Sequence, residues 1–155
     1  MNSSKAGTYL REGLLLIRVS EEIQLAAVLP LMQQLRPHLA DLNSWIAYWK
    51  RASKAGYRLW SLAKSDQIVA LASYRIAENL VHGQYLYVED LVTDQSERGS
   101  GYGQILMELL KQEALSQDCG KIVLDTGLNN SLAHRFYYRQ GLLASSLRFN
   151  QMLSA

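Results

Sequence analysis

Cysteine, proline and long apolar runs are all scarce in this sequence of 155 residues, which has one Cys and two Pro. The single cysteine, Cys119, has no second thiol to pair with, so a secreted scaffold held by internal disulfides is not expected. No run approaches the roughly 18 consecutive apolar residues of a membrane-spanning helix, and the N-terminal residues lack the pattern of a signal peptide. We therefore expect a cytoplasmic protein without a membrane partner.

An excess of charge of one sign is also lacking. Sixteen Lys and Arg against 14 Asp and Glu give a formal net charge of +2, well short of the clustered basicity of proteins that bind phosphate backbones. We therefore expect no nucleic acid partner. The three histidines are dispersed and show no zinc-binding spacing, so we expect no metal site.

What the sequence does contain is typical of a globular protein. Hydrophobic residues make up 48% and charged residues 19% of the chain, far from the composition of disordered segments. The length fits one compact domain over residues 1–155, which can bury most of its apolar surface without disulfide bonds or a structural metal.

The hydrophobic pattern predicts alternating strands and helices. Apolar or alternating segments predict strands at residues 14–19, 57–63, 67–75, 84–93, 121–125 and 143–149. Helical periodicity predicts a helix after Ser20 that Pro37 ends, and further helices over about residues 43–55, 104–117 and 130–141. This order predicts an α+β or mixed α/β fold, with helices on both faces of one sheet.

The most informative stretch is a glycine-rich segment between a predicted strand and a predicted helix. Its residues are Arg98, Gly99, Ser100, Gly101, Tyr102 and Gly103. Glycines let the backbone approach a ligand closely, and the free N–H groups of a first helical turn favour an anion. The Gly-Lys-Ser/Thr ending of a phosphate-binding loop and the spacing of a dinucleotide fold are both missing. Taken alone, a glycine triplet before a helix is a weak signal, because a minority of such segments are only tight structural turns.

A second motif follows the next predicted strand, where residues 130–142 match N-x-x-A-x-x-F-Y-x-x-x-G with Leu142 at the final apolar position. With R-x-x-G-x-G at residues 98–103 ahead of it, the chain resembles the GNAT superfamily of N-acetyltransferases over about residues 57–149. The resemblance implies a central twisted mixed sheet of about six to seven strands. It also implies that acetyl passes from acetyl-CoA (coenzyme A) to a primary amine of a small molecule or peptide, by direct attack in a ternary complex.

The resemblance further implies roles for single residues. The amides of residues 98–103 would hold the coenzyme A pyrophosphate, and Asn130 would contact the cofactor, although it also suits a helix N-cap. Tyr137 would lie near the coenzyme sulfur and donate a proton to the departing thiolate. On a strand that is bulged or splayed, the backbone N–H and C=O groups of Leu91, Val92 and Thr93 would contact the acetyl and pantetheine parts of acetyl-CoA.

Two adjacent acids, Glu89 and Asp90, stand on the strand before the glycine segment. Neighbours in a strand point to opposite faces unless a bulge intervenes, so we expect only one of them to face the acceptor. We assign Glu89 as the base or water-positioning residue, with a capping or salt-bridged carboxylate as the alternative. An acetyl-cysteine mechanism at Cys119 is not favoured, because no motif places a histidine beside it.

Two other functions fit the same residues. One is a non-catalytic acyl-CoA-binding or regulatory module that keeps the fold, and the other is an interaction domain whose glycine turn is only structural. The tyrosine and the strand acid favour the enzyme. The sequence gives no pattern for the acceptor amine, and a homodimer is compatible with the resemblance because dimers are common among similar proteins.

Overall fold

The computed structural model describes residues 7–10 and 13–154. Its strands are β1 (Gly7–Tyr9), β2 (Leu14–Arg18), β3 (Arg58–Lys64), β4 (Gln67–Asn79), β5 (Gly83–Thr93) and β6 (Lys121–Leu124). Its α-helices are α1 (Glu22–Leu35), α2 (Leu42–Lys54), α3 (Tyr102–Ser116) and α4 (Ser131–Arg139). The chain divides into two compact units, Met1–Val123 and Leu124–Ala155.

The six strands form one sheet in chain order, from β1 to β6. The first five pair antiparallel with their neighbours. Between β5 and β6 the chain passes through α3, the kind of crossover that parallel neighbours require. The prediction of a mixed sheet with six to seven strands is therefore confirmed.

Helices cover both faces of this sheet, as predicted. The Tyr74 hydroxyl of β4 donates a hydrogen bond of 3.0 Å to Glu113 of α3. The preceding residue, Ser73, points to the other face, where its partner Asp90 pairs with Arg36 at the end of α1. The first two helices and α3 therefore lie on opposite faces.

The α1 and α2 side holds a large core cluster. A capping box between Glu21 and Gln24 begins α1, and the helix ends at Leu35, just before Pro37, as predicted. Asp41 caps α2 by accepting from the Ser44 amide. The buried members of the cluster are Val19, Leu25, Val28, Leu31, Met32, Trp45, Ala52, Tyr57, Leu59, Leu71 and Val92.

Two features at the ends of the chain differ from the sequence prediction. The short strand β1 was not predicted, because three residues are too few to show a period. The strand predicted at residues 143–149 is wrong, since residues 142–154 form no strand or helix. The apolar side chains of that stretch, such as Leu143 and Phe149, are 82% and 88% exposed, so they have no core to pack against.

Among the described residues, no helix is long and apolar enough to span a membrane.

Candidate active site

The glycine segment forms a turn that leads directly into α3. Gly99 and Gly101 have φ angles of +85° and +84°, a left-handed conformation that disfavours side chains with a Cβ. Gly101 is the N-cap residue of α3. A Cβ added at either glycine would meet no atom of the described residues within 4 Å, so they leave the space beside this backbone open. The amides of residues 101–104 have no acceptor within the helix and mark the positive end of its dipole.

Side chains on both sides anchor this turn. Tyr102 is buried at 6% exposure, so only its backbone is available to a ligand, whereas Arg98 is exposed. Gln34 of α1 donates to Asp94 (3.1 Å) and accepts from the Gln95 amide (3.1 Å). Hydrogen bonds from Ser96 lower the pKa of Asp94. The segment just before the turn is thus fixed to α1, and the buried Tyr102 holds the start of α3 in place.

A β-bulge lies on β5 at the two adjacent acids. Across the β4 and β5 ladder, Ser73 is opposite Asp90 and Tyr74 is opposite Val88, so Glu89 is the extra residue. The expectation that the two acids point to opposite faces of β5, made for a strand without a bulge, is therefore wrong, and which of them faces an acceptor stays a prediction. Asp90 bonds to Ser73 and Glu89 bonds to Arg75. Because those two partners are two residues apart on β4, both carboxylates lie on the same face.

Asp90 is held on both of its carboxylate oxygens. Arg36 approaches one oxygen through Nε and Nη2, each at 2.8 Å. Ser73 donates to the other oxygen at 2.5 Å. The Asp90 side chain is 12% exposed, so this carboxylate fastens the end of α1 to the bulge.

Glu89 has a different environment. Arg75 donates from Nε to one of its oxygens, and the two side chains are 27% and 20% exposed. Arg75 also donates from Nη1 to the Ala55 carbonyl at the end of α2 (3.1 Å). Its guanidinium carbon lies 5.6 Å from the centroid of the Tyr57 ring.

Aromatic side chains line this cluster on the side of α2. Trp45 stacks on Tyr48 with centroids 6.0 Å apart, and Tyr48 meets Tyr57 edge to face at 5.6 Å. Burial raises the pKa of Tyr48 and, more strongly, that of Tyr57, and the charge of Asp90 adds to the effect at Tyr57. Both phenols therefore stay protonated at neutral pH.

Strand β5 is longer than its neighbour β6 and extends beyond the end of β6. The Gly120 amide bonds to the Gln84 carbonyl (2.9 Å) at the start of both strands. Strand β6 has four residues and β5 has 11. Because both strands rise by about the same length per residue, the end of β6 lies beside about residue 88 of β5. Backbone groups at residues 89–93 thus extend beyond it. Leu91, Val92 and Thr93 keep their pairing with β4, and their role toward a cofactor stays a prediction.

The second unit carries the other two predicted residues. The Asn130 side chain accepts from the Ala133 amide (3.2 Å) and caps α4, as its alternative structural use predicts. Tyr137 is half-buried, its ring meets that of Phe136 at 5.2 Å, and burial raises the pKa of its phenol. Tyr138 is 56% exposed, which favours Tyr137 as the constrained member of the pair. The roles of Asn130 and Tyr137 stay predictions.

Cysteine and metal chemistry gain no support from the described residues. Cys119 is buried, and burial raises the pKa of its thiol, which disfavours a nucleophilic thiolate. No group of three or more His, Cys, Asp or Glu side chains in the described ranges could hold a metal ion.

Sequence reasoning missed the residues that surround the two acids. Arg36 and Arg75 showed no motif, and Ser73 and Tyr57 resembled ordinary strand residues. Their only signal was the antiparallel pairing of β4 with β5, which sets Ser73 and Arg75 beside the acids.

Comparison with known proteins identifies the family of the chain. The model of the acetyltransferase (GNAT) family matches residues 25–142, and this family uses acetyl-CoA as co-substrate. An uncharacterized N-acetyltransferase of Bacillus subtilis is 31% identical over 109 residues, covering 70% of this chain and 76% of that protein. Glucosamine 6-phosphate N-acetyltransferase of Trypanosoma brucei brucei is 31% identical over 133 residues, covering 83% of this chain and 88% of that enzyme.

A solved structure extends the comparison to the fold. The crystal structure of a Trypanosoma brucei acetyltransferase superposes with a TM-score of 0.73 at 26% identity, covering 90% of this chain and 99% of that one. With the family match spanning most of the sequence, the chain belongs to the GNAT acetyltransferase family and is an acyltransferase.

Proposed function

We propose that the protein transfers the acetyl group of acetyl-CoA to a primary amine of a small molecule, by direct attack of the amine in a ternary complex. The observation that most supports this is the arrangement along β5. One strand carries the bulged carboxylate of Glu89 and then leads into the open glycine turn that begins α3.

The glycine turn has the properties that a diphosphate requires. The positive φ angles and open space at Gly99 and Gly101 let an anion approach the backbone. The first-turn amides and the helix dipole favour negative charge, and exposed Arg98 adds a cation. In this proposal residues 98–103 hold the pyrophosphate of coenzyme A, with Tyr102 contributing only its amide. Residues 91–93 and Asn130 contact the remainder of the cofactor.

The proposed chemistry uses two side chains. When bound, acetyl-CoA supplies a thioester whose acetyl carbon bonds to the amine nitrogen as its carbon–sulfur bond breaks. An alkylamine with a pKa near ~10 arrives protonated, so Glu89 accepts that proton, directly or through water. Tyr137 donates its phenolic proton to the sulfur and recovers one from the amide nitrogen through solvent. One proton is released overall for each acetyl group transferred.

The acceptor is proposed to be a small molecule because a similar enzyme acts on one. The Trypanosoma brucei brucei relative is named for glucosamine 6-phosphate, an amine that also bears a phosphate. In this chain the bulge cluster pairs two carboxylates with two arginines, so its formal charge is zero. An acceptor panel should therefore include amines with and without a phosphate group.

The rival function is a non-catalytic acyl-CoA-binding module of the same fold. The relatives that are named as N-acetyltransferases favour catalysis over this rival. The test is a thiol-release assay with acetyl-CoA over a panel of amino sugars, their 6-phosphates, polyamines, arylalkylamines and short peptides. Calorimetric titration with coenzyme A accompanies it. Tight binding of coenzyme A without turnover of any acceptor would support the rival. If coenzyme A does not bind, the glycine turn has only a structural role.

A further inference from the structure

The two acids of the bulge are held in unequal ways. Both oxygens of Asp90 accept hydrogen bonds, one from Arg36 and the other from Ser73. Glu89 receives Arg75 on one oxygen, and no other described residue donates to its second oxygen. Asp90 is thus a fixed structural carboxylate, whereas the described residues leave one oxygen of Glu89 available for an incoming proton.

Arg75 is held from several sides, and the Tyr48 phenol is a further polar neighbour of its guanidinium. Arg75 reaches the Glu89 carboxylate with Nε and the Ala55 carbonyl with Nη1, and it lies over the Tyr57 ring. These contacts use the planar fork of a guanidinium, which a lysine ammonium cannot reproduce. The end of α2 and a buried aromatic ring therefore determine where the guanidinium is, and the guanidinium determines where Glu89 is.

From this geometry we infer that Arg75 is a positioning residue for acceptor activation, acting by holding Glu89 in one orientation at the bulge. The inference rests on the proposed function, in which Glu89 accepts the proton of the amine. A glutamate has three rotatable side-chain bonds, and an unconstrained one would spread over several rotamers. Arg75 removes that freedom while leaving the second oxygen open.

The test is a double-mutant cycle on the full chain with Arg75→Met, Glu89→Gln and the double variant. If Arg75 acts through Glu89, Arg75→Met lowers kcat by about 10²-fold, as small misplacements of catalytic groups do. In the Glu89→Gln background the same change then costs little more, because residues that act as a unit are strongly non-additive. The KM for the amine and the affinity for coenzyme A change much less than kcat.

Arg58→Met is the matched control. Arg58 also reaches the end of α2, through the Ser53 and Tyr57 carbonyls (3.4 and 3.0 Å), but its hydrogen bonds among the described residues involve no carboxylate. Its kcat should stay within about twofold of the parent, as for most surface substitutions. Arg75→Lys keeps the charge without the fork and should recover only part of the lost kcat. If Arg75→Met folds poorly, this variant carries the same cycle.

The outcomes separate the two ideas. Additive losses in the cycle, or an equal loss in Arg58→Met, would overturn the positioning role while leaving Glu89 as the base. An unchanged kcat in Glu89→Gln would overturn the proposed base itself, and any loss at Arg75 would then be structural.

Discussion

Ser73 of β4 and Asp90 of β5 lie opposite each other, and the Ser73 hydroxyl donates a hydrogen bond of 2.5 Å to the Asp90 carboxylate. Ser73 is completely buried. Because Asp90 also binds Arg36, this pair connects the centre of the sheet to the chain leaving α1. It also marks the point at which the register shifts and Glu89 becomes the extra residue.

Replacing Ser73 with Ala should lower the free energy of unfolding by about 1.5–3 kcal/mol, because a buried hydrogen bond to a charged group is lost. Urea titration of both proteins measures the difference. Ser116→Ala is the control, since that exposed hydroxyl donates only to the Glu113 carbonyl and its loss should cost less than about 0.5 kcal/mol. Equal losses at the two serines would mean that the bond to Asp90 contributes nothing specific.

Gly101→Ala should weaken coenzyme A binding by about tenfold, which corresponds to 1.4 kcal/mol. The φ of +84° is unfavourable for alanine, and relaxation of the backbone would turn the first amides of α3 away from the anion. Titration calorimetry with coenzyme A measures the affinity.

Gly83→Ala provides a matched control for strain. Gly83 has a φ of +67° and open space around an added Cβ, but it begins β5 in a hairpin turn, far in sequence from the glycine segment. Both variants should lose roughly 1–2 kcal/mol of stability, while only Gly101→Ala loses affinity. The same affinity in both variants would contradict a cofactor role for the turn.

The sequence alone was sufficient to predict the helices and strands whose hydrophobic residues recur with a clear period. The amphipathic helices α2 and α3 and the alternating strands β3 to β5 lie within a few residues of their predicted positions, because their own side chains encode which face is buried. The glycine turn was also recognisable, since positive φ angles favour glycine and the turn has them at Gly99 and Gly101.

The remaining features depend on partners distant in sequence. The bulge arises from the register between β4 and β5, so the adjacency of Glu89 and Asp90 could not indicate that both point to one face. The roles of Arg36 and Arg75 follow from the same register. Residues 143–149 were predicted as a strand but form none. An apolar stretch becomes a strand only where a neighbouring strand pairs with its backbone, and the sequence of the stretch does not reveal whether that neighbour is there.

Tyr137→Phe should lower kcat by about 10²-fold if the phenol is the proton donor. The hydroxyl is removed while the ring that packs on Phe136 stays, so affinity for coenzyme A should change little. Steady-state kinetics and calorimetry measure the two quantities. An unaltered kcat would remove this residue from the mechanism.

The pH dependence of kcat gives a separate test of Tyr137. Burial raises the pKa of its phenol, so the proton is retained to a higher pH than in an exposed tyrosine, whose pKa is near ~10. The contribution of this group to stability is likewise complete below ~10 and is lost only as the pH rises through the higher folded value. We expect no alkaline decline of kcat below about pH 10 that depends on this residue. A decline at lower pH that disappears in Tyr137→Phe would contradict that expectation.

Two buried tyrosines should respond in opposite ways to loss of their hydroxyls. The Tyr74 hydroxyl donates to Glu113, whereas the buried Tyr57 hydroxyl faces the Ser73 side chain but makes no well-formed hydrogen bond with any described residue. Tyr74→Phe should therefore cost about 1.5–3 kcal/mol, while Tyr57→Phe should be neutral or stabilise the fold by about 1 kcal/mol, because an unpaired polar group leaves the core. Thermal and urea unfolding of both variants measure the difference. A loss in Tyr57→Phe as large as that in Tyr74→Phe would show that the phenol of Tyr57 is hydrogen-bonded in solution, with Ser73 as the nearest candidate partner.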